Sequence, residues 1–393
     1  MQPISFYLKH YAKAAVRRTV WPLLPAKSRA LIRAHWHTPR MPIHVFFEPT
    51  TQCNLRCLHC GRTHWKDRDP NRDIDLGVFK RTVKELHDGG VREMTLQGLG
   101  EPFLHKDIFE MIEYTRALGI YTRFNTNFTI FDDAMAERLV RGGHSEVMVS
   151  IESIEPKLFA DIRRRGDLDT VLTNIKRLAD AKQRLGSDTP KIYVNAVLLK
   201  STLELAPRLA SEMRRVGASR LNFQGLNTAG IPEKVKLLNG TRMIDNSLSS
   251  LTYEEIEDVT QKILALGDAD FPVTITGDLG GRDSVHRPAS GILTCSDLWE
   301  SPYIDSSGRV TPCCWLPDGD IMTLGDLRKE SFRDVWFGPA YEKLRRQHIT
   351  GHPPDVCKNC QKLTLVIENG TSQAGEDQSA ERYNNFFLGV PKV

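Results

Sequence analysis

No run in this chain of 393 residues approaches the roughly 18 consecutive apolar residues that a membrane-spanning helix needs. The first residues also lack the compact apolar core of a secretory signal. Acids are absent from residues 1–47, which nevertheless hold eight cations (Lys9, Lys13, Arg17, Arg18, Lys27, Arg29, Arg33 and Arg40). The formal charge of +4 is thus local to the first segment, and the remainder is net acidic. Such a balance argues against a protein built to coat nucleic acid. Cysteine is missing between Cys60 and Cys295 and again after Cys360. Eight cysteines gathered as three and five at close spacing do not read as a disulfide framework; they favour metal and a reducing cytoplasm. At 40% hydrophobic and 26% charged residues the composition is ordinary for a globular protein. The length suits one large domain and one smaller one.

The first cysteine group is Cys53-Asn54-Leu55-Arg56-Cys57-Leu58-His59-Cys60, directly after an apolar run, Ile43 to Phe47, that reads as a buried strand. Three thiolates this close can bind three corners of an iron–sulfur cube, leaving one iron open. Positions 53, 57 and 60 also follow helical spacing and could line a buried helix face. Against that, Asn54, Arg56 and His59 interleave with them and the lead-in Thr50-Thr51-Gln52 is polar. Structural zinc normally takes four ligands. The C-x3-C-x2-C spacing, with a ring residue before the last cysteine, resembles the radical S-adenosylmethionine superfamily.

From residue 43 to about 223 strands and helices alternate. The predicted strands are Ile43–Phe47, Glu93–Leu96, Tyr121–Asn125, Glu146–Ile151, Ile192–Leu198 and Arg220–Phe223. Helical periodicity lies between them at Leu76–His87, Ile108–Leu118, Asp132–Arg141, Leu168–Leu185 and Leu203–Val216. Crossover helices imply parallel pairing. The resemblance implies an α/β fold, a partial (βα)6 TIM-like barrel with its active site at the strand C-terminal ends. It also implies roles for residues at those ends. Gly98-Leu99-Gly100-Glu101-Pro102 resembles the family's Gly-Gly-Glu-Pro element, with Leu99 in place of one glycine, so Gly98, Gly100 and Glu101 would meet the amino group of S-adenosylmethionine. Asn125, Ser150 and Glu152 would contact its ribose and methionine portions. Asn127 and Ser153 read equally well as helix caps. Arg163 to Arg165 would pair with the cofactor's carboxylate or form a solvated face. Asn195, Asn222 and Gln224 would face the adenine or the substrate.

The second group is Cys295, Cys313, Cys314, Cys357 and Cys360. Tyr303 to Val310 reads as a β-hairpin turning at Gly308, which would bring Cys295 and Cys313 together. Cys357 and Cys360 close the group as C-x2-C. Four such cysteines can ligate one more [4Fe–4S] cluster or a zinc ion. The layout resembles the SPASM and twitch auxiliary-cluster domains, in the shorter one-cluster version because no cysteine follows Cys360. That implies Cys295, Cys313, Cys357 and Cys360 as ligands. Cys314 is left as a spare ligand, a core thiol or a hydrogen-atom donor.

The expected organisation is a basic helical extension over 1–42, the barrel with its linker over 43–276, a twitch/SPASM-like cluster domain over 277–370 and a polar tail over 371–393. The extension reads as a helical cap, an organellar transit segment, or a basic amphipathic helix suited to an anionic membrane surface through residues 1–40. By resemblance, an electron from the first cluster, delivered by a partner such as flavodoxin or ferredoxin, would cleave S-adenosylmethionine to a 5′-deoxyadenosyl radical. The radical would take hydrogen from a substrate C–H bond. The four-cysteine layout resembles twitch-type dehydrogenases such as the inosamine dehydrogenase of aminoglycoside biosynthesis, implying oxidation or epimerisation of a carbohydrate-like small molecule with the auxiliary cluster accepting an electron. The alternatives are a SPASM-type peptide maturase and a non-catalytic iron–sulfur or zinc module.

Overall fold

The computed structural model describes residues 40–64, 69–227, 231–276, 292–295, 297–358, 360 and 364–366. The basic extension up to residue 39, residues 277–291 and the polar tail lie outside the described residues.

Six strands come in the predicted order: β1 (His44–Phe47), β2 (Glu93–Leu96), β3 (Tyr121–Thr126), β4 (Glu146–Ser150), β5 (Lys191–Leu198) and β6 (Arg220–Gly225). Each pairs parallel with the next. Between them run α1 (Leu76–Asp88), α2 (Ile108–Ala117), α3 (Asp133–Arg141), α4 (Pro156–Ile162), α5 (Leu168–Arg184) and α6 (Ala206–Arg215). Helix α4 was not predicted; Pro156 at its first turn and the Glu155 side chain accepting from Leu158 N start it. A seventh parallel strand, β7 (Val273–Thr276), pairs with β6 after α7 (Tyr253–Leu264), so the sheet runs one strand beyond the six expected.

Alternation along the strands sorts the side chains. Val45, Phe47, Met94, Leu96, Phe124, Val147, Val149, Ile192, Val194, Leu221 and Phe223 point outward into the main apolar core beneath the helices. The opposite face carries Thr95, Arg123, Asn125, Glu146, Ser150, Asn195 and Asn222, so the inside of the partial barrel is polar. At the N-terminal ends of the strands Arg123 Nη2 lies 3.1 Å from Glu93 Oε2 and its Nε 3.3 Å from Glu146 Oε2, while Tyr121 Oη donates to Glu146 at 2.7 Å. This plug lies at the end of the barrel opposite the cysteines. Removing Arg123 takes the ion pair from Glu93 and leaves Glu146 with only Tyr121 and the charge of Arg220, so Arg123→Met is expected to lower the unfolding free energy by about 3 kcal/mol in urea titrations.

On the other edge the C-terminal part is sewn onto the barrel. β8 (Ile292–Thr294) and α8 (Asp297–Glu300) precede a hairpin, β9 (Tyr303–Ile304) with β10 (Arg309–Thr311), which turns through Gly308 at φ 81°. β9 pairs parallel with β1, and β11 (Gly325–Asp326) extends β10. Then follow α9 (Phe332–Trp336), α10 (Pro339–Ile349), α11 (Asp355–Lys358) and β12 (Thr364–Val366), the last antiparallel to β8. Among the described residues no helix is long and apolar enough to cross a membrane.

Candidate active site at the strand C-terminal ends

The loop after β1 is fixed mainly by backbone contacts. Arg56 N donates to Arg164 O at 3.0 Å and Leu58 N to Ile162 O at 2.9 Å, tying the cysteine loop to the end of α4. Glu101 N donates to Gln52 O at 2.6 Å. The two glycines of the second loop are required by this approach. A Cβ on Gly98 would overlap the Glu48 side chain, and one on Gly100 would overlap the carbonyl oxygens of Thr50 and Gln52.

Burial raises the thiol pKa of Cys53 and Cys60 and pushes Cys57 up to about 12. The charges of Cys53 and Cys60 are felt at Cys57, so three thiolates here would repel one another. Donors nevertheless lie beside the sulfurs: Asn127 Nδ2 is 3.9 Å from Cys53 Sγ and Arg163 Nη1 is 4.0 Å from Cys57 Sγ. A mutually repelling trio, Cys57 buried and Cys53 and Cys60 half-buried, next to N–H donors fits a cationic iron centre that ionises thiols.

Glu101 is buried, and its carboxylate accepts from Asn127 N at 2.6 Å, Thr126 Oγ1 at 2.7 Å and Phe103 N at 3.2 Å. Burial outweighs those donors and lifts its pKa from 4.5 to about 7. A folded pKa above the unfolded one stabilises the protein below the unfolded value, and that stabilisation is lost as pH rises through about 7. Glu101→Gln is therefore expected to flatten the fall in unfolding free energy of the metal-free protein between about pH 4.5 and 7, measured by urea titration.

Glu152 and Ser150 share the inward face past β4, as alternation requires. Burial raises the Glu152 carboxyl, but the Arg163 charge, the neighbouring His59 and the hydrogen bonds to the carboxylate together outweigh it, and the net shift is downward. Arg163 grips Glu152 through both Nε and Nη2, the latter at 2.7 Å. Arg163 is itself buried, unlike its neighbour Arg164, which is exposed. Burial lowers the pKa of His59 to about 4, so the ring 3.8 Å from Glu152 is neutral at pH 7. Asn125 donates to Gln97 at 2.7 Å, while its Oδ1 is buried without a partner among the described residues. That leaves an acceptor aimed at the barrel interior.

Other predicted positions sort differently. Asn127 belongs to the cysteine site, bonding Asn54 at 2.9 Å as well as Cys53, whereas the Ser153 hydroxyl accepts from Glu155 N in a local turn. Asn222 bonds Asn195 at 3.2 Å and Thr276 at 2.9 Å, and Gln224 is exposed. A residue the sequence reading missed is Glu48. Fully buried, it accepts from Leu99 N at 2.8 Å, Tyr303 Oη at 3.1 Å and Ser306 N at 3.0 Å. It joins the glycine loop to the C-terminal hairpin. The available signal was its position, as the first acid of the chain at the end of an apolar strand.

In the second group, Cys295 packs with Leu298 and Leu344, and Cys360 lies against the same apolar cluster. Burial pushes Cys357 up to about 11, helped by the charge of Cys360. The charge of Cys313 is felt at Tyr341 and that of Cys314 at Tyr303, so the two adjacent thiols face different neighbours. Among the described residues no three His, Cys, Asp or Glu side chains form a single-ion site.

A parallel partial barrel with a cysteine loop after its first strand, and a cysteine-bearing hairpin beside it, defines a class of iron–sulfur enzymes. The family model for the radical SAM superfamily matches residues 47–199 and that for the SPASM iron–sulfur cluster-binding domain matches 295–361. The chain belongs to the radical SAM superfamily and carries a C-terminal SPASM domain, and its cofactors are S-adenosylmethionine, a [4Fe–4S] cluster and auxiliary iron–sulfur. The PqqA peptide cyclase of Granulibacter bethesdensis is 24% identical over 329 residues, 82% of this chain and 81% of that protein. Streptococcus suis SuiB bound to its precursor peptide SuiA superposes with a TM-score of 0.62 at 17% identity, over 81% of this chain and 70% of SuiB. SuiB bound to S-adenosylmethionine superposes at 0.63 and 16% identity, over 87% of this chain and 79% of that one.

Proposed function

We propose that this radical SAM enzyme modifies a peptide. What supports the reading is the match, over four-fifths of both chains, to a protein named as a peptide cyclase. That moves the substrate from the carbohydrate-like molecule suggested by the cysteine layout to a peptide.

In this reading Cys53, Cys57 and Cys60 hold the first [4Fe–4S] cluster and leave one iron for S-adenosylmethionine. When bound, the pair supplies a 5′-deoxyadenosyl radical that removes hydrogen from carbon. The chain's own residues do the rest. Gly98 and Gly100 let the backbone approach the cofactor. Glu101, held near its titration point by burial, takes the cofactor ammonium as its counter-charge. Asn125 offers its unpartnered Oδ1 to a ribose hydroxyl, with Ser150 beside it on the neighbouring strand. Glu152 orients Arg163 and neutralises it next to Cys57. The polar lining of the barrel aligns the substrate, and the packed hairpin beside β1 keeps water from the reacting carbon.

Cys295, Cys313, Cys357 and Cys360 ligate one auxiliary [4Fe–4S] cluster, saturated by protein sulfur and therefore suited to electron transfer. Flavodoxin or ferredoxin supplies the starting electron. The test is anaerobic incubation with reductant, S-adenosylmethionine and any short peptide found encoded beside this gene, followed by mass spectrometry. Loss of hydrogens from one peptide, together with 5′-deoxyadenosine, supports the reading. 5′-Deoxyadenosine with unmodified peptides but an oxidised or epimerised sugar would overturn it.

A further inference from the structure

We propose that Arg345, with His348 beside it on the same face of α10, sets the reduction potential of the auxiliary cluster. This rests on the reading that Cys295, Cys313, Cys357 and Cys360 hold that cluster.

The buried residues of α10 are Tyr341, Leu344, Arg345 and His348, a single stripe at helical spacing. That stripe meets the cysteine group at several points. Leu344 packs with Cys295 and Leu298, and Cys360 lies against the same cluster. Tyr341 Oη donates to Thr311 O at 3.3 Å, two residues before Cys313. Arg345 Nε donates to Leu298 O at 2.8 Å, three residues after Cys295. Eight residues beyond the end of the helix the chain reaches Cys357.

Arg345 is 6% exposed. Nη1 donates to Trp336 O at 2.8 Å, and the guanidinium lies over the rings of Trp336 and Tyr341 at 4.4 and 4.6 Å. Among the described residues no carboxylate pairs with it, and Nη2 is buried without a partner. Burial lowers its pKa only to about 10, so the group is charged at neutral pH. An uncompensated buried cation is costly and calls for a counter-charge. A cube with four thiolate ligands is an anion, and reduction adds one more negative charge to it. His348 adds a second observation. It is 1% exposed, and neither ring nitrogen has a partner among the described residues. Its neutral ring carries one N–H to give. Arg345 and His348 reach the cysteine group through Leu298, Leu344 and Tyr341, which touch or face its cysteines. A buried cation and N–H donors one side chain away from a cluster stabilise its reduced form more than its oxidised form, which raises the potential.

The test is an anaerobic redox titration of the full-length protein followed by electron paramagnetic resonance, with the first cluster as internal reference. Arg345→Met with iron and sulfide for two clusters should move the auxiliary couple to lower potential and leave the first couple in place. Arg345→Lys, which keeps the charge and loses the fork, should recover most of the wild-type position. An unshifted auxiliary couple in iron-complete Arg345→Met overturns the proposal. Should Arg345→Met lose auxiliary iron, Arg345→Gln is compared with Arg345→Lys, and equal potentials in that pair overturn it. His348→Phe should lose one exchangeable-proton coupling to the reduced auxiliary cluster in electron–nuclear double resonance; an unchanged spectrum removes His348 from the proposal. Iron analysis of the wild type is read first: iron for a single cluster overturns the ligand reading itself, and so is told apart from a failure of tuning.

Discussion

Replacing Cys53, Cys57 and Cys60 together by alanine is expected to abolish formation of 5′-deoxyadenosine, a fall of at least about a thousandfold toward the uncatalysed rate. Iron content should drop to that of the auxiliary cluster alone. The fold should survive, because the loop is anchored by backbone hydrogen bonds from Arg56 and Leu58 to the 162–164 segment, not by the thiols. Circular dichroism should match the wild type, and the auxiliary signal in electron paramagnetic resonance should remain. Retained cleavage of S-adenosylmethionine in this variant would place the chemistry elsewhere in the molecule.

The second large effect separates cofactor cleavage from product formation. In the double variant Cys357→Ser and Cys360→Ser, 5′-deoxyadenosine should still form, within about tenfold of the wild-type rate, while modified substrate disappears. The two cysteines neighbour each other on and just beyond α11, and neither belongs to the loop that binds the first cluster. In the proposed reading a substrate radical that lacks the auxiliary cluster has no acceptor for its electron and returns to starting material or side products. Liquid chromatography with mass spectrometry of both products in one reaction gives the ratio. Modified product at the wild-type ratio to 5′-deoxyadenosine would assign the auxiliary cluster a purely structural part.

The barrel was legible because its physical signals are local. Apolar strands alternate with amphipathic helices, and caps such as Asp75, Asp132 and Asp167, whose side chains accept from the first helical turn, mark where helices begin. The cysteine loop and the glycines at 98 and 100 were legible for a different reason: residue types with few other uses fall at strand ends. What escaped depends on contacts between distant parts of the chain. β7 is a run of only four residues, and its status as a strand comes from pairing with β6. Arg163 read as one of three consecutive arginines, and only the fold turns it inward onto Glu152 while leaving Arg164 in solvent. The role of Glu48 depends on Tyr303 and Ser306, more than 250 residues away, which no local pattern could bring to it. Cys295, after β8 and before the hairpin, packs on Leu344 of α10, again a contact between segments far apart in the sequence.

The account turns on one iron of the first cluster that takes no protein sulfur. The direct measurement is electron–nuclear double resonance on the reduced Cys357→Ser/Cys360→Ser variant, which retains only the first cluster, with S-adenosylmethionine labelled at its amino nitrogen and carboxylate oxygen. The account predicts hyperfine coupling from both labels and a changed cluster signal when the cofactor is added. A cluster whose spectrum ignores the cofactor and shows neither coupling would mean that all its irons are already ligated by the protein, and the proposed chemistry would not stand.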